Sequence, residues 1–131
     1  MSTTRPVRER PSASWEARPR WRIVRSGTIA LGPGKADLLE AIAATGSISA
    51  AAKRIGMSYR RAWVLVSIMN ASFRSPLVAT FARRRIGASL THEGTRALRL
   101  YRRIESRSRA VASADAAALL RLLAPPKRRQ R

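Results

Sequence analysis

The stretch GSISAAAKRIGMSYRRAW, residues 46–63, decides the fold of this chain. Its first half places apolar side chains at positions i, i+3, i+4 and i+7, namely Ile48, Ala51, Ala52 and Ile55. That spacing predicts a short amphipathic helix. Because its alanines are small, a second helix can cross it at close range. Two short helices joined by a few residues that include glycine are typical of a helix-turn-helix.

Residues that end or cap helices stand on both sides of this apolar stripe. Gly46 is placed to end a preceding helix as a left-handed residue, and Gly56 is placed to end the helix itself. Ser47 or Ser49 can cap the start of this helix, and the sequence does not choose between them. Shortly after Gly56, Ser58 can cap a third helix that runs to about residue 73. The signals therefore predict three consecutive helices.

The third helix is expected to have an apolar side and a basic side. Its core-facing residues share one face of a helical wheel: Ala62, Leu65, Val66, Met69 and Phe73. Tyr59 and Trp63 are expected to pack beside that face rather than to stack on bases. The opposite side carries Arg60, Val64 and Ser67, flanked by Arg61 and Ile68, so both arginines are expected to project away from the core.

Arg60 and Arg61 lie in the first turn of this helix, where the positive end of the helix dipole disfavours cations and favours Asp or Glu. From Ala41 to His92 the chain has no Asp or Glu but has eight Lys or Arg. An ordinary solvated surface mixes both signs. In a helix-turn-helix, the start of the second helix enters the major groove, where arginine can hold guanine O6 and N7 or a phosphate. The pattern favours a DNA partner over charges that only aid solubility.

Composition limits the classes of function. The chain of 131 residues has 27 Lys+Arg against 7 Asp+Glu, and its net charge of +20 indicates a polyanionic partner. It has no cysteine and a single histidine, His92, so we expect no metal site, no cofactor and no catalytic nucleophile–base pair. No apolar stretch approaches the ~20 residues of a membrane span, and no secretory signal is visible. We expect a soluble, cytoplasmic protein that is not an enzyme.

The domain organisation follows from composition shifts along the chain. We expect four segments: a disordered basic arm (residues 1–20), a winged helix-turn-helix DNA-binding domain (residues 21–92), a C-terminal helical dimerisation segment (residues 93–124) and a basic tail (residues 125–131).

Two short features precede the helix-turn-helix. Arg22–Arg25 and Thr28–Leu31 are β-type runs around Ser26-Gly27 and predict a small hairpin. The sequence GPGK, residues 32–35, lacks the spacing of a phosphate-binding loop and is interpreted as a turn. A helix is expected after it, from residue 35 to residue 45.

Two extended runs follow the third helix, Leu77–Phe81 and Arg85–Leu90, and they predict a β-hairpin, or wing. The arginines around its tip, Arg83, Arg84 and Arg85, are expected to reach phosphates or a neighbouring minor groove. Thr91 is placed to cap a long final helix with Glu93 in its first turn, where an acid is favourable.

The final helix carries an apolar seam: Ala97, Tyr101, Ile104 and Val111, followed by Leu119, Leu120, Leu122 and Leu123. This area exceeds what the small winged core is expected to cover, and exposed apolar patches mark interfaces. We therefore expect a homodimer through the C-terminal helices. A two-fold dimer would place two recognition helices about one DNA turn, ~34 Å, apart.

Residues 31–70, LGPGKADLLEAIAATGSISAAAKRIGMSYRRAWVLVSIMN, resemble the N-terminal DNA-binding domain of the molybdate-responsive transcriptional regulator (ModE) family. The later LT-x-x-G, formed by Leu90, Thr91 and Gly94, is similar to the winged helix-turn-helix of LysR-type regulators. The resemblance implies a winged helix dimer in which the helix from Ser58 reads the major groove. Because the chain ends soon after Glu105, we expect no molybdate-binding domain and no small-molecule effector site.

The predicted fold is α+β, mainly α: a winged helix-turn-helix with a β-hairpin wing and a long C-terminal dimerisation helix. The predicted function is sequence-specific binding of duplex DNA to regulate transcription, in the bacterial nucleoid. The residues assigned to DNA contact are Ser47, Ser49, Ser58, Tyr59, Arg60, Arg61, Val64, Ser67, Arg83, Arg84 and Arg85. An architectural nucleoid-associated protein and a basic RNA-binding protein stay as alternatives, although no aromatic β-sheet platform for RNA is visible.

Overall fold

The computed structural model describes residues 14–81 and 87–125. Its elements follow in the order β1 (Ile23–Arg25), β2 (Thr28–Leu31), α1 (Pro33–Thr45), α2 (Ile48–Ile55), α3 (Tyr59–Ser72), β3 (Val78–Phe81), β4 (Gly87–Leu90) and α4 (His92–Arg121). The strands form two antiparallel hairpins, β1–β2 and β3–β4. This is the predicted architecture, with α2 and α3 as the helix-turn-helix and β3–β4 as the base of the wing.

Backbone conformation at the helix ends agrees with the predicted signals. Gly46 and Gly56 follow α1 and α2 in the left-handed region, each with φ of 72°. Only glycine adopts that conformation without a steric cost, so both helices end where the sequence indicated. The Ser47 hydroxyl accepts a hydrogen bond from the Ala50 amide at 3.1 Å, which makes Ser47, not Ser49, the cap of α2.

Helix α1 begins two residues earlier than predicted. Gly32 is its N-cap residue, and Pro33, Gly34 and Lys35 form its first turn. The interpretation of GPGK as a turn was wrong, because proline is favoured at the start of a helix, where its missing N–H is not needed. This helix start has neither a side-chain cap nor an acidic residue.

A single hydrophobic core joins the helices to the base of the wing. The faces predicted for α2 and α3 supply six of its residues: Ile48, Ala51, Ala52, Ala62, Val66 and Met69. Helix α1 adds Ala36, Leu38, Leu39, Ala41 and Ile42, and the wing adds Leu77, Val78 and Ala88. Small side chains between α1, α2 and α3 allow the close crossing that the sequence suggested.

The base of the wing is tied to the end of α3 by one side chain. The Asn70 carbonyl oxygen accepts hydrogen bonds from the amides of Leu77 (2.9 Å) and Val78 (3.1 Å). The Asn70 amide group donates to the Val78 carbonyl at 3.1 Å. On the other side of the wing, the Ala88 amide donates to the Gly46 carbonyl at 2.9 Å. The wing is therefore fixed to both ends of the helix-turn-helix.

Helix α4 is continuous from His92 to Arg121, a length of about 45 Å at ~1.5 Å per residue. Thr91 caps it as predicted, since its hydroxyl accepts from the Gly94 amide at 3.0 Å. The predicted seam was wrong at two positions. Ala97 packs against the domain's own core, and Tyr101 is buried there, with its hydroxyl donating to the Trp21 carbonyl at 2.9 Å.

Residues that precede β1 lie along the second half of α4. The Trp21 indole N–H donates to the Ser108 hydroxyl at 2.5 Å, and the Trp15 indole N–H donates to the Ala124 carbonyl at 2.9 Å. Residues 14–20 contain neither helix nor strand. The rest of the predicted arm and most of the predicted basic tail, residues 1–13 and 126–131, lie outside the described residues.

Candidate nucleic-acid interface

The solvent side of α3 carries the residues that the sequence assigned to it. Arg60, Arg61 and Ser67 are exposed, and Val64 is 51% exposed. Ala62 and Val66, on the other face of the same helix, are buried in the core. The core therefore fixes the rotation of α3, and the basic side of this helix faces outward.

The predicted serines have different local roles. Ser58 caps α3, since its hydroxyl accepts from the Arg61 amide at 3.1 Å. Ser67 donates its hydroxyl proton to the Trp63 carbonyl of the same helix at 2.9 Å. Ser49 is exposed near the start of α2, close to the cap formed by Ser47. Ser47 and Ser58 hold the starts of α2 and α3 in place, and Ser49 and Ser67 lie at the exposed surface.

Charges divide the described surface. Neither Arg60 nor Arg61 forms an ion pair within residues 14–81 and 87–125. The carboxylates of Asp37, Glu40 and Glu105 instead surround Arg102, at 2.8, 3.3 and 2.9 Å, and tie α4 to α1. Burial lowers the pKa of the Arg102 guanidinium, but the hydrogen bonds that it donates to Asp37 and Glu105, together with the charges of Glu40 and Glu105, outweigh burial and raise that pKa.

An aromatic groove lies between α3 and the wing. The rings of Tyr59 and Trp63 meet edge to face, with centroids 6.1 Å apart and planes at 83°. Both rings line a cavity of about 240 Å³ together with Phe81 of the wing. Tyr59 is 53% exposed and Phe81 is 55% exposed. The two α3 rings therefore pack on each other at the surface rather than being covered beside the core.

A cluster of cations surrounds the start of α1. Arg20, Arg22, Lys35 and Arg61 line one cavity of about 230 Å³. Lys35 is only 8% exposed, which is rare for lysine. Burial, and then the nearby charge of Arg61, lower the pKa of Lys35. The sequence analysis did not predict this cluster. The signals that could have indicated it were Lys35 in the GPGK sequence and Arg61 in the region without acidic residues.

The predicted arginines of the wing tip, Arg83, Arg84 and Arg85, lie outside the described residues. The strands on either side of them pair in the register Phe81 to Gly87, and both of these residues line the aromatic groove. The contact of the three arginines with DNA stays a prediction.

Comparison with known families identifies the central part of this arrangement. Residues 35–95 match the family model described as the bacterial regulatory helix-turn-helix protein, lysR family. This range spans α1, the helix-turn-helix, the wing and the start of α4. Residues 35–95 therefore resemble the helix-turn-helix proteins of this family, and we call them the LysR-type domain. The LT-x-x-G sequence that suggested it lies at the junction of the wing and α4.

Relatives of the LysR-type domain also agree with the ModE resemblance. The molybdenum-pterin-binding protein MopB of Rhodobacter capsulatus is 41% identical over 78 residues, which are 58% of this chain and 29% of that protein. The DNA-binding transcriptional dual regulator ModE of Escherichia coli (strain K12) is 42% identical over 71 residues, 53% of this chain and 27% of that protein. The chain thus spans less than a third of the length of these relatives.

A solved structure agrees with the fold of the LysR-type domain. The DNA-binding domain of CbnR, in a crystal structure of its complex with DNA, matches with a TM-score of 0.52 and 29% identity. The match covers 65% of this chain and 95% of that chain. The predicted family resemblance and winged helix fold are confirmed for this domain.

Two further classes of feature are not found in the described part of the chain. Residues 14–81 and 87–125 include no helix with the length and apolarity of a membrane span. The same residues hold no group of three or more metal-ligating side chains.

Proposed function

We propose that the chain regulates transcription by binding a specific duplex sequence, with the start of α3 in the major groove. The observation that carries the proposal is the outward side of α3, where Arg60 and Arg61 lack a carboxylate partner among the described residues. DNA would supply the missing negative charge. The complex of the CbnR domain with DNA supports this partner for the LysR-type domain.

Each exposed residue of α3 suits one kind of contact. Arg60 can make two hydrogen bonds to the major-groove edge of guanine, and the apolar side chain of Val64 suits a thymine methyl group. Arg61, at the edge of the helix, is better placed for the DNA backbone. The capped helix starts at Ser47 and Ser58 present amides that favour phosphate.

We further propose that the protein acts as a homodimer through the second half of α4. Beyond the last buried residue of this helix, Tyr101, large apolar side chains stay exposed: Ile104, Val111, Leu119, Leu122 and Leu123. Val111 is 87% exposed and Leu122 is 82% exposed. A second copy is the partner that suits a LysR-type domain, because a two-fold pair presents two recognition helices to two half-sites.

The groove contact is tested with Arg60→Ala, compared with Arg107→Ala on the exposed part of α4. Both changes remove one charge, but only the first lies on the outward side of α3. We expect Arg60→Ala to weaken specific binding by about 1–3 kcal/mol and to relax the preference at one base pair. Selection from a random duplex library followed by anisotropy titration measures both effects. A folded Arg60→Ala protein with unchanged affinity and preference would refute the assignment.

The same titrations separate the alternatives. Competition by bulk duplex as strong as by the selected site would support an architectural protein. Stronger competition by structured RNA at fixed salt would support an RNA-binding protein. The dimer is tested by sedimentation of the Leu119→Glu, Leu122→Glu double variant against Ser113→Glu as a control. We expect only the double variant to become monomeric, and a monomeric wild type, both free and DNA-bound, would exclude the dimer.

A further inference from the structure

The cavity at the start of α1 has the chemistry of an anion site. Its lining includes four cationic side chains, from Arg20, Arg22, Lys35 and Arg61, and no carboxylate. Its volume of about 230 Å³ is below the roughly 300–1,000 Å³ of sites for drug-sized ligands, so it suits a small group. Like charges that converge without a counter-ion repel each other, and a bound anion would remove that repulsion.

Lys35 points most directly to a ligand. The residue is 8% exposed, and it makes no hydrogen bond or ion pair within the described residues. The described residues contain no fully enclosed side-chain nitrogen without a partner, so the Lys35 ammonium keeps some exposure, and Lys35 is one of the residues that line the cavity. A cation on so buried a residue gives up part of its hydration, and a negative group beside it would compensate for that loss.

The backbone of α1 adds hydrogen-bond donors at the same place. The first bond inside this helix runs from the Ala36 amide to the Gly32 carbonyl at 2.9 Å. The amides of Gly34 and Lys35 precede that bond and have no carbonyl of α1 to pair with. No side chain caps this end, and no acid stands in its first turn. The helix start therefore offers free N–H groups and positive potential to an anion.

We propose that this cavity binds one phosphate of the DNA backbone, at the edge of the groove that α3 enters. Arg61 links the cavity to the proposed DNA contact of α3. It lines the cavity from the first turn of α3, and the adjacent Arg60 is the residue proposed to enter the major groove. A phosphate there would meet Lys35, the α1 amides and Arg61 together. This inference rests on the proposed DNA binding and assigns to α1 a contact that fixes the register of α3 on the duplex.

The test uses Lys35→Met, which keeps the length of the buried side chain and removes its charge. Arg107→Met is the matched control, since it removes one charge from an exposed part of α4. We expect Lys35→Met to weaken binding about tenfold and to lower the slope of log K against log salt by about 0.9, the value for one phosphate contact. Arg107→Met should leave the slope unchanged.

A chemical variant of the DNA locates the contact. Duplexes that carry one neutral methylphosphonate at successive positions should reveal one site at which the wild type loses affinity and Lys35→Met loses no more. Additive losses at every position, or a Lys35→Met protein that behaves like Arg107→Met, would overturn the inference. Since the wild type would still bind duplex in that case, such a result leaves DNA binding standing, whereas a wild type without duplex affinity would refute the proposed function.

Inorganic phosphate distinguishes the two sources of the anion. Calorimetric titration of phosphate into the free protein should give at most weak heat, because a single free ion lacks the rest of the duplex. Saturable binding that Lys35→Met abolishes, together with an unchanged salt slope for DNA, would assign the cavity to a free oxyanion and overturn the DNA contact.

Discussion

Replacement of Gly94 by alanine is expected to destabilise the junction between the wing and α4. A Cβ atom at Gly94 would lie 2.0 Å from the Leu77 carbonyl oxygen and 3.0 Å from its carbonyl carbon. Contacts under 3.0 Å essentially never occur for a real Cβ, so the two backbone segments must separate by about 1 Å. The two Leu77 atoms belong to the backbone, so no side-chain rotation can relieve the overlap.

The magnitude follows from the bonds that this separation would stretch. The Leu77 carbonyl accepts from the Thr91 amide at 2.9 Å. The one proton of the Thr91 hydroxyl is shared between the Pro76 carbonyl at 2.7 Å and the Leu77 carbonyl at 3.2 Å. At about 1 kcal/mol for the bond of each of these two donors, the loss is roughly 2 kcal/mol. Alanine regains up to about 1 kcal/mol of helix propensity. We expect a net destabilisation of about 1–2 kcal/mol.

Urea unfolding followed by circular dichroism measures this change, with Gly34→Ala as the matched control. Gly34 also lies in the first turn of a helix, but an added Cβ there meets nothing within 4 Å. The same substitution should therefore stabilise the protein at Gly34 by up to about 1 kcal/mol. If Gly94→Ala were as stable as the wild type, the close approach of α4 to Leu77 would not constrain the fold.

Three further outcomes are expected. Burial and Arg61 lower the pKa of Lys35 below its ordinary 10.5, so the unfolded chain binds that proton more tightly than the folded chain does. Lys35→Met should therefore be more stable than the wild type at pH 7, and the difference in unfolding free energy should shrink as the pH approaches 10.5. Urea titrations at several pH values measure this difference, and a difference that does not change with pH would contradict the prediction. Asn70→Ala removes three side-chain hydrogen bonds to the wing and should lower the free energy of unfolding by about 2–3 kcal/mol. The control Ala71→Ser, on the exposed side of α3, should change that free energy little. Equal stability of the two variants in chemical unfolding would exclude a role for Asn70 in holding the wing. Neutralising Arg83 and Arg84 together should weaken binding to all duplexes alike and flatten its salt dependence, and a loss confined to one sequence would make the wing a base reader instead.

Local signals in the sequence were sufficient for the helix-turn-helix. The left-handed glycines at 46 and 56, the serine cap of α3 and the apolar stripe of α2 each act within a few residues. Their agreement fixes the start, the end and the buried face of α2 and α3. The outward position of Arg60 follows from that buried face, which is why this part of the candidate site could be predicted.

Contacts between distant parts of the chain could not be predicted in this way. Tyr101 looked like part of an exposed seam, but its hydroxyl bonds to Trp21, 80 residues away in the sequence. The burial of Lys35 similarly depends on the β1–β2 hairpin and α3, which close over the first turn of α1. Periodicity reveals which face of a helix is apolar, but it does not identify what covers that face.

The bonds of Asn70 have a consequence for how the protein would select its target. They join the end of α3 to the first residues of the wing, so they oppose any change in the spacing between this helix and the base of the wing. A duplex whose grooves do not match that spacing must bend or change its groove width, and the energy of this deformation depends on its sequence. Base pairs that no side chain touches would then contribute to the choice of operator.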